Sequence, residues 1–321
     1  MRLFRHFAET PEPARGGAIA LGNFDGIHRG HRAVLEAARR AGARRQVPWG
    51  VMSFEPHPRA VLRPPHKPFR LTSMRVKARL IEEMGADYLL LQNFDRAFAA
   101  IPATDFIDRV LVGALKVAEV VAGQDYVFGH GRMGDAEMLV RMGEARGFAV
   151  TLVEPVLGKD GTAYSSTVVR EALAAGRLAE VRAQLGRHWE IDGHVRKGDQ
   201  RGRELGFPTA NVGLGDLIHP AAGVYAVRVA IDGEGAAGWR PGVAYCGPRP
   251  TFDKTEVQLE AHLFDFSGDL YGRQLRVALV EFIRPDRRFD SIDALVLQMN
   301  EDARAARQVL AMSVSELGAD P

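Results

Sequence analysis

Between Gly17 and about Val153, short apolar runs alternate with helical patterns, and this alternation confines that part of the chain to one architecture. The candidate strands are Ala18–Leu21, Val47–Phe54, Tyr88–Gln92, Val117–Ala122 and Phe148–Val153. The intervening helices are His31–Ala41, Ser73–Met84, Ala103–Val112 and Asp135–Gly147. Parallel neighbours need crossover connections, usually helical, so the expectation is an α/β doubly wound parallel sheet. Helices near Thr167–Ala175 and Leu178–Gly186 close the unit. After Arg187 the pattern changes to the alternating segments Trp189–Val195, Gly223–Ala230, Val257–Phe264 and Gln274–Phe282. Gly- and Pro-rich turns, as at Gly233–Gly238 and Gly247–Pro250, are expected between them, which predicts a small antiparallel β-barrel. Apolar residues at three-and-four spacing from Ser291 to about Leu310 predict a C-terminal amphipathic helix capped by Ser291 or Asp290, with a frayed tail after Ser315. The expected domains are 1–186 and 187–321.

The first candidate strand runs into Gly22–His31, GNFDGIHRGH, and then into a helix. A helix N-terminus offers unpaired N–H groups and partial positive charge, which suits phosphate. His28 and His31, three apart, share one helical face, where paired imidazoles can stabilise charge developing on a nucleotide. A metal half-site is the competing reading, but no Cys or third-ligand cluster accompanies the pair. The stretch resembles the His-x-Gly-His signature of the nucleotidyltransferase superfamily, whose sheet is Rossmann-like. That resemblance makes Gly22, Asn23, Phe24, Asp25 and Gly30 nucleotide-binding, and His28 and His31 catalytic.

Three further segments fit the same reading. Phe54–Pro58 places His57 between Pro56 and Pro58 after a strand, at the sheet's carboxyl edge. Gly123–Gly129 brings Asp125, Tyr126 and Phe128 to that edge, where the two rings serve either a flat ligand or the core. In Tyr164–Glu171, Ser166 or Thr167 can cap a helix with Arg170 one turn in, a second phosphate site or a plain capping box.

In the second half, Arg201–Asn211 is rich in glycine but lacks the Walker pattern. Its glycines allow backbone N–H groups to approach a phosphate, and Arg203 adds charge. Thr209 and Asn211 face the same way in extended chain, and their hard oxygens suit Mg²⁺ or another divalent cation shared with ATP. Glu260 and His262 share one face of a strand whose other face carries Leu259, Ala261 and Leu263. A carboxylate so placed is either exposed decoration or a general base.

Pro208–Asn211 matches the Pro-Thr-Ala-Asn signature of riboflavin kinases, and the two halves together resemble the bacterial bifunctional riboflavin kinase/FAD synthetase family over roughly residues 15–310. The resemblance implies two ATP-dependent reactions: phosphorylation of riboflavin to FMN, and adenylylation of FMN to FAD with loss of pyrophosphate. It implies Glu260 as the base and Gly202, Arg203, Gly206 and Pro208 around ATP. It further implies Thr209 and Asn211 on Mg²⁺, Ser166, Thr167 and Arg170 on phosphates, and Pro56, His57 and Asp125 on the FMN side. The chain departs from the family at Tyr245, where an asparagine is usual.

Composition adds boundaries. Of the 321 residues, 46% are hydrophobic and 26% charged, the balance of a globular protein. Residues 1–186 hold 26 Lys and Arg against 20 Asp and Glu, and residues 187–321 hold 16 against 20. That charge suits a small polyanion rather than nucleic acid. Cys246, the sole cysteine, precludes an internal disulfide and reads as a packed residue. With neither a signal-peptide pattern nor a membrane-length apolar run, a cytoplasmic chain without membrane partners is expected. Homo-oligomerisation is left open.

Overall fold

In the computed structural model, residues 1–64, 67–198, 202, 205–234, 238–250 and 255–316 are described. Their contacts form two compact units, one of Met1–Lys67 with Met74–Ser165, the other of Pro68–Ser73 with Ser166–Pro321.

The first unit is the expected doubly wound sheet. Its strands are β1 (Arg2–Phe4), β2 (Ala18–Leu21), β3 (Trp49–Glu55), β4 (Tyr88–Asn93), β5 (Glu119–Gly123) and β6 (Ala149–Val153). All pair in parallel, in the order β1-β4-β3-β2-β5-β6. The strands read as unbroken apolar runs because both faces are covered. Side chains alternate between two cores: Ile19, Leu21, Met52 and Leu90 enter one, while Ala18, Ala20, Val51 and Leu89 enter the other. The edge strand β1 was not expected; with three residues it is too short to display a period. The expected helix over Ala103–Val112 is instead a short α-turn, Ala103–Asp105, followed by π geometry over Phe106–Ala114.

Because β2 is followed by β3 on one side and has β5 on the other, the connection order reverses between β2 and β5. Their carboxyl ends therefore flank the crevice where such sheets take ligands. The amino edge serves stability. Glu119, at the first position of β5 and 1% exposed, accepts hydrogen bonds from Arg44 (2.9 Å), Arg45 (2.6 Å) and Thr151 (2.7 Å). Burial pushes its carboxyl up, but these donors outweigh that and hold it below the usual carboxylate range.

The second unit is a closed antiparallel barrel of β7 (Trp189–Arg196), β8 (Ala210–Gly213), β9 (Gly223–Ile231), β10 (Arg240–Pro250), β11 (Thr255–Leu263) and β12 (Gln274–Pro285). The strand order β10-β11-β8-β7-β12-β9 leaves no free edge. Trp189, Tyr225, Leu259, Ala261 and Leu275 fill it, and Leu71 from the 68–73 segment joins this core while its carbonyl accepts from Trp189 Nε1 at 2.7 Å. The turn expected at Gly247–Pro250 is instead the end of β10, paired with Gln258 to Thr255 of β11. The β9 ladder stops at Cys246–Gly223, so among the described residues β10 pairs beyond that point with β11 alone and tolerates Pro248. Cys246 is buried in the core and its thiol is pushed up to about 12, as a packed rather than reactive cysteine requires.

The Ile292–Glu316 helix lies on the barrel exterior through Ala306 and Leu310, which meet Val224, Ala226, Val243 and Val280. Ser291 Oγ accepts from Ala294 N at 3.1 Å, as a cap should. Arg284 grips Asp302 with bonds of 2.8 and 2.7 Å. The tail from 317 onward lies outside the described residues.

Glu119→Gln should cost about 1–2 kcal/mol, since it weakens bonds to a buried carboxylate whose arginine partners can still reach water. The carboxyl is lowered in the folded state, so its contribution is present above the unfolded value of 4.5 and fades as pH falls through the folded one. Denaturant melts of both proteins at pH 7 and in acid should converge at the acid end.

Candidate active sites

In the first unit the chain leaves β2 through a loop whose backbone is forced into unusual shapes. Phe24 (φ +47°), Gly26 (φ +88°) and Ile27 (φ +43°) are left-handed, a conformation that costs a non-glycine residue about 1–2 kcal/mol. Burial of Phe24 and Ile27 in the sheet's core offsets this. Gly22 is needed because a Cβ there would stand 2.9 Å from Phe24 Cζ. The loop is also held from below. Lys77, 1% exposed on the Met74–Glu83 helix, donates its ammonium to the Asn23 carbonyl at 2.7 Å and to Ser53 Oγ at 3.2 Å. Ser53 Oγ donates to the same carbonyl at 3.0 Å. Sequence reasoning missed Lys77; on a helix it reads as one more surface cation, although its neighbours Val76, Leu80 and Ile81 mark the buried face.

This loop delivers His28 as the N-cap of the Arg29–Arg45 helix. His28 Nδ1 accepts from His31 N at 3.3 Å, and the two rings stack with centroids 3.6 Å apart. A nitrogen that accepts carries no proton, so the His28 proton sits on Nε2, making that atom a donor. Gly30 permits the arrangement: its Cβ would lie 3.1 Å from the His28 ring and 3.3 Å from the Tyr164 carbonyl. Asp25 is buried within the same loop, and Asn23 is exposed.

Of the other residues expected in this unit, Pro56, His57 and Asp125 share the carboxyl edge. Pro56 and His57 follow β3, and His57 Nδ1 caps a short helix by accepting from Arg59 N at 3.1 Å. Asp125 is exposed just past β5. Tyr126 and Phe128 stack at 5.7 Å, with Phe128 buried in the core and Tyr126 packed against it. Ser166, Thr167 and Arg170 begin the Ser166–Ala174 helix, which by contacts goes with the second unit. There Arg170 Nε donates to the Phe69 carbonyl at 2.8 Å.

In the second unit a cleft of about 350 Å³ is lined by Pro208, Thr209, Asn211, Asp269 and Tyr271, among others. Gly206 is left-handed (φ +82°), and the Gly202 carbonyl accepts from Phe207 N at 2.7 Å. Arg203 lies outside the described residues. Asn211 is 7% exposed, and its Oδ1 is buried without a hydrogen-bond partner among the described residues. Leaving such an oxygen unmade costs about 1–3 kcal/mol, so a hard cation beside it would be favoured.

The barrel register places Glu260 directly opposite both Asn211 on β8 and Tyr245 on β10. Opposed residues on antiparallel strands project to the same face, so all three are neighbours there. Leu259, Ala261 and Leu263 take the interior, as the alternation predicts. Tyr245 donates to Asp286. Burial, that carboxylate and Glu260 push its phenol up to about 12. His262 Nδ1 lies 2.9 Å from the Pro208 carbonyl.

Two family models match the chain in tandem: FAD synthetase over residues 10–168 and riboflavin kinase over residues 185–310. A bifunctional riboflavin kinase/FMN adenylyltransferase of Escherichia coli K12 is 43% identical over 98% of this chain and 99% of its own. Its Bacillus subtilis counterpart is 36% identical over 90% of each. A solved structure described as a macrolide-efflux protein from Streptococcus pneumoniae superposes with a TM-score of 0.83 at 32% identity, covering 95% of this chain and 98% of that one.

Lys77→Met should strip the Asn23 carbonyl and Ser53 hydroxyl of their shared donor, destabilising the first unit by about 2–4 kcal/mol. Urea unfolding with a probe confined to that unit should read the loss.

Proposed function

The chain belongs to the bifunctional riboflavin kinase/FMN adenylyltransferase family, and from that premise we propose how its residues divide the work. The protein phosphorylates riboflavin to FMN with ATP and joins FMN to the AMP part of a second ATP, giving FAD and pyrophosphate. The efflux description of the S. pneumoniae structure is not extended to this chain, in which no described helix is long and apolar enough to cross a membrane.

Adenylyl transfer is assigned to residues 1–186 and the kinase to residues 187–321. An FMN phosphate oxygen attacks the α-phosphorus of ATP, forming one P–O bond as the bond to pyrophosphate breaks. His28, with its Nε2–H, and His31 stand at the N-terminus of their helix, where donors and dipole favour the charge that builds on the phosphates. The stacked pair, held by Gly30 and the left-handed loop, is the observation that carries this assignment. Gly22, Asn23, Phe24, Asp25 and Gly30 shape the nucleotide cradle. Pro56, His57 and Asp125, on the same edge, are assigned to FMN. Ser166, Thr167 and Arg170 are assigned to phosphates on family resemblance.

In the kinase half, Glu260 takes the proton from the riboflavin 5′-hydroxyl as that oxygen attacks the γ-phosphorus and ADP leaves. Its place beside Asn211 across the β8–β11 ladder supports the role. Gly202, Arg203, Gly206 and Pro208 are assigned to ATP. Thr209 and Asn211 would hold Mg²⁺, and the buried Asn211 Oδ1 fits that use. When bound, the cation neutralises charge on the triphosphate.

Incubating wild-type protein with riboflavin, ATP and Mg²⁺ and separating the flavins tests the division of labour. His28→Ala or His31→Ala should cut FAD formation at least 100-fold and leave FMN formation intact. Glu260→Gln should do the reverse, stopping FMN formation while FMN supplied directly is still converted to FAD. Loss of FMN formation in either histidine variant, or failure of Glu260→Gln to convert supplied FMN to FAD, would contradict the assignment. Asn211→Ala should raise the Mg²⁺ concentration for half-maximal FMN formation about tenfold, measured by metal titration.

A further inference from the structure

We propose that His262 is a positioning residue of the kinase site, holding the Pro208 carbonyl so that the loop presents Thr209 and Asn211 correctly. The proposal rests on the kinase reading of the cleft. A carbonyl can only accept, so the ring nitrogen 2.9 Å away must be Nδ1–H, which fixes the proton's place on the imidazole. His262 stands two residues beyond Glu260 on β11, on the same face, so one strand carries both the base and the group that sets the loop facing it.

The imidazole is itself clamped. The rings of Phe207 and Phe264 meet it edge-on with centroids at 5.2 and 5.9 Å. Phe264 in turn carries the Arg307 guanidinium 4.1 Å from its ring centroid, and Arg307 grips Asp265 with bonds of 2.8 and 3.0 Å. Contact thus runs from the terminal helix through Arg307, Phe264 and His262 to the loop. The loop needs such a hold. Pro208 has no N–H to donate, and the ladder of β8 with β11 begins only at Ala210. Thr209 therefore lies ahead of the ladder, and the His262 bond ties its immediate predecessor to β11.

Two amide replacements separate this role from simple packing. In full-length protein, His262→Asn puts an amide N–H near the place of Nδ1, whereas His262→Gln puts it near that of Nε2. FMN formation is followed with ATP and with riboflavin varied separately, FAD formation from supplied FMN reports on the rest of the chain, and hydrogen exchange is read at the Thr209 and Ala210 amides. The expected result is that His262→Gln lowers kcat/KM for ATP about tenfold and speeds exchange at both amides, while His262→Asn stays within about threefold and FAD formation is unchanged. Equal behaviour of the two variants would overturn the proposal, whether both are silent or both fail. So would loss of FAD formation alongside FMN formation, since His262 would then be supporting the fold. Wild-type protein that makes no FMN would instead remove the kinase reading itself.

Discussion

Water must be kept from both faces of the parallel sheet and from the inside of the barrel, and the placement of chemistry follows from that requirement. Alternate side chains of every central strand in the first unit enter opposite cores, so neither face has room for a ligand. The ends of the sheet are left, and at the carboxyl end the connection order reverses between β2 and β5. The barrel interior is likewise filled by Trp189, Tyr225 and their neighbours, so its polar groups gather on the outer face and at the rim, around Asn211 and Glu260.

Both sites solve one local problem by the same means. A loop to which site residues are assigned leaves its strand and loses ladder hydrogen bonds, and another element supplies a donor to one of its carbonyls. In the first unit the donor is the Lys77 ammonium on Asn23; in the second it is the His262 imidazole on Pro208. The supporting group is buried or clamped in each case, by Val76, Leu80 and Ile81 around Lys77 and by Phe207 and Phe264 around His262. Preorganisation of this kind lowers the ordering cost of whatever such a loop binds. The left-handed Phe24 and Ile27 belong to the same economy, since core burial holds a backbone shape that neither residue favours alone.

The central strands of the sheet, four of the six barrel strands and the change from parallel to antiparallel grammar near Arg187 were legible because hydrophobic period reports burial, and burial sets secondary structure; β8 and β10 were not read as strands. β2 was read to the residue, and the His28–Gly30–His31 spacing carried its own geometric meaning: the rings stack and the glycine makes room. What failed were elements whose pattern is too short or whose partners are distant. β1 has three residues, and the end of β10 read as a turn although one-sided pairing tolerates Pro248. The 68–73 segment gave no hint that Leu71 would enter the core of the second unit.

The sequence by itself determined the two architectures, because these depend on local period, and its motifs resembled a family that implies phosphoryl and adenylyl transfer. Only the tertiary structure decided that Glu260 stands opposite Asn211, that Asn211 Oδ1 is buried, and that Lys77 lies beneath the Gly22–His31 loop rather than in water. Those facts depend on register and on packing between segments dozens of residues apart, where a one-residue slip would turn every side chain to the other face.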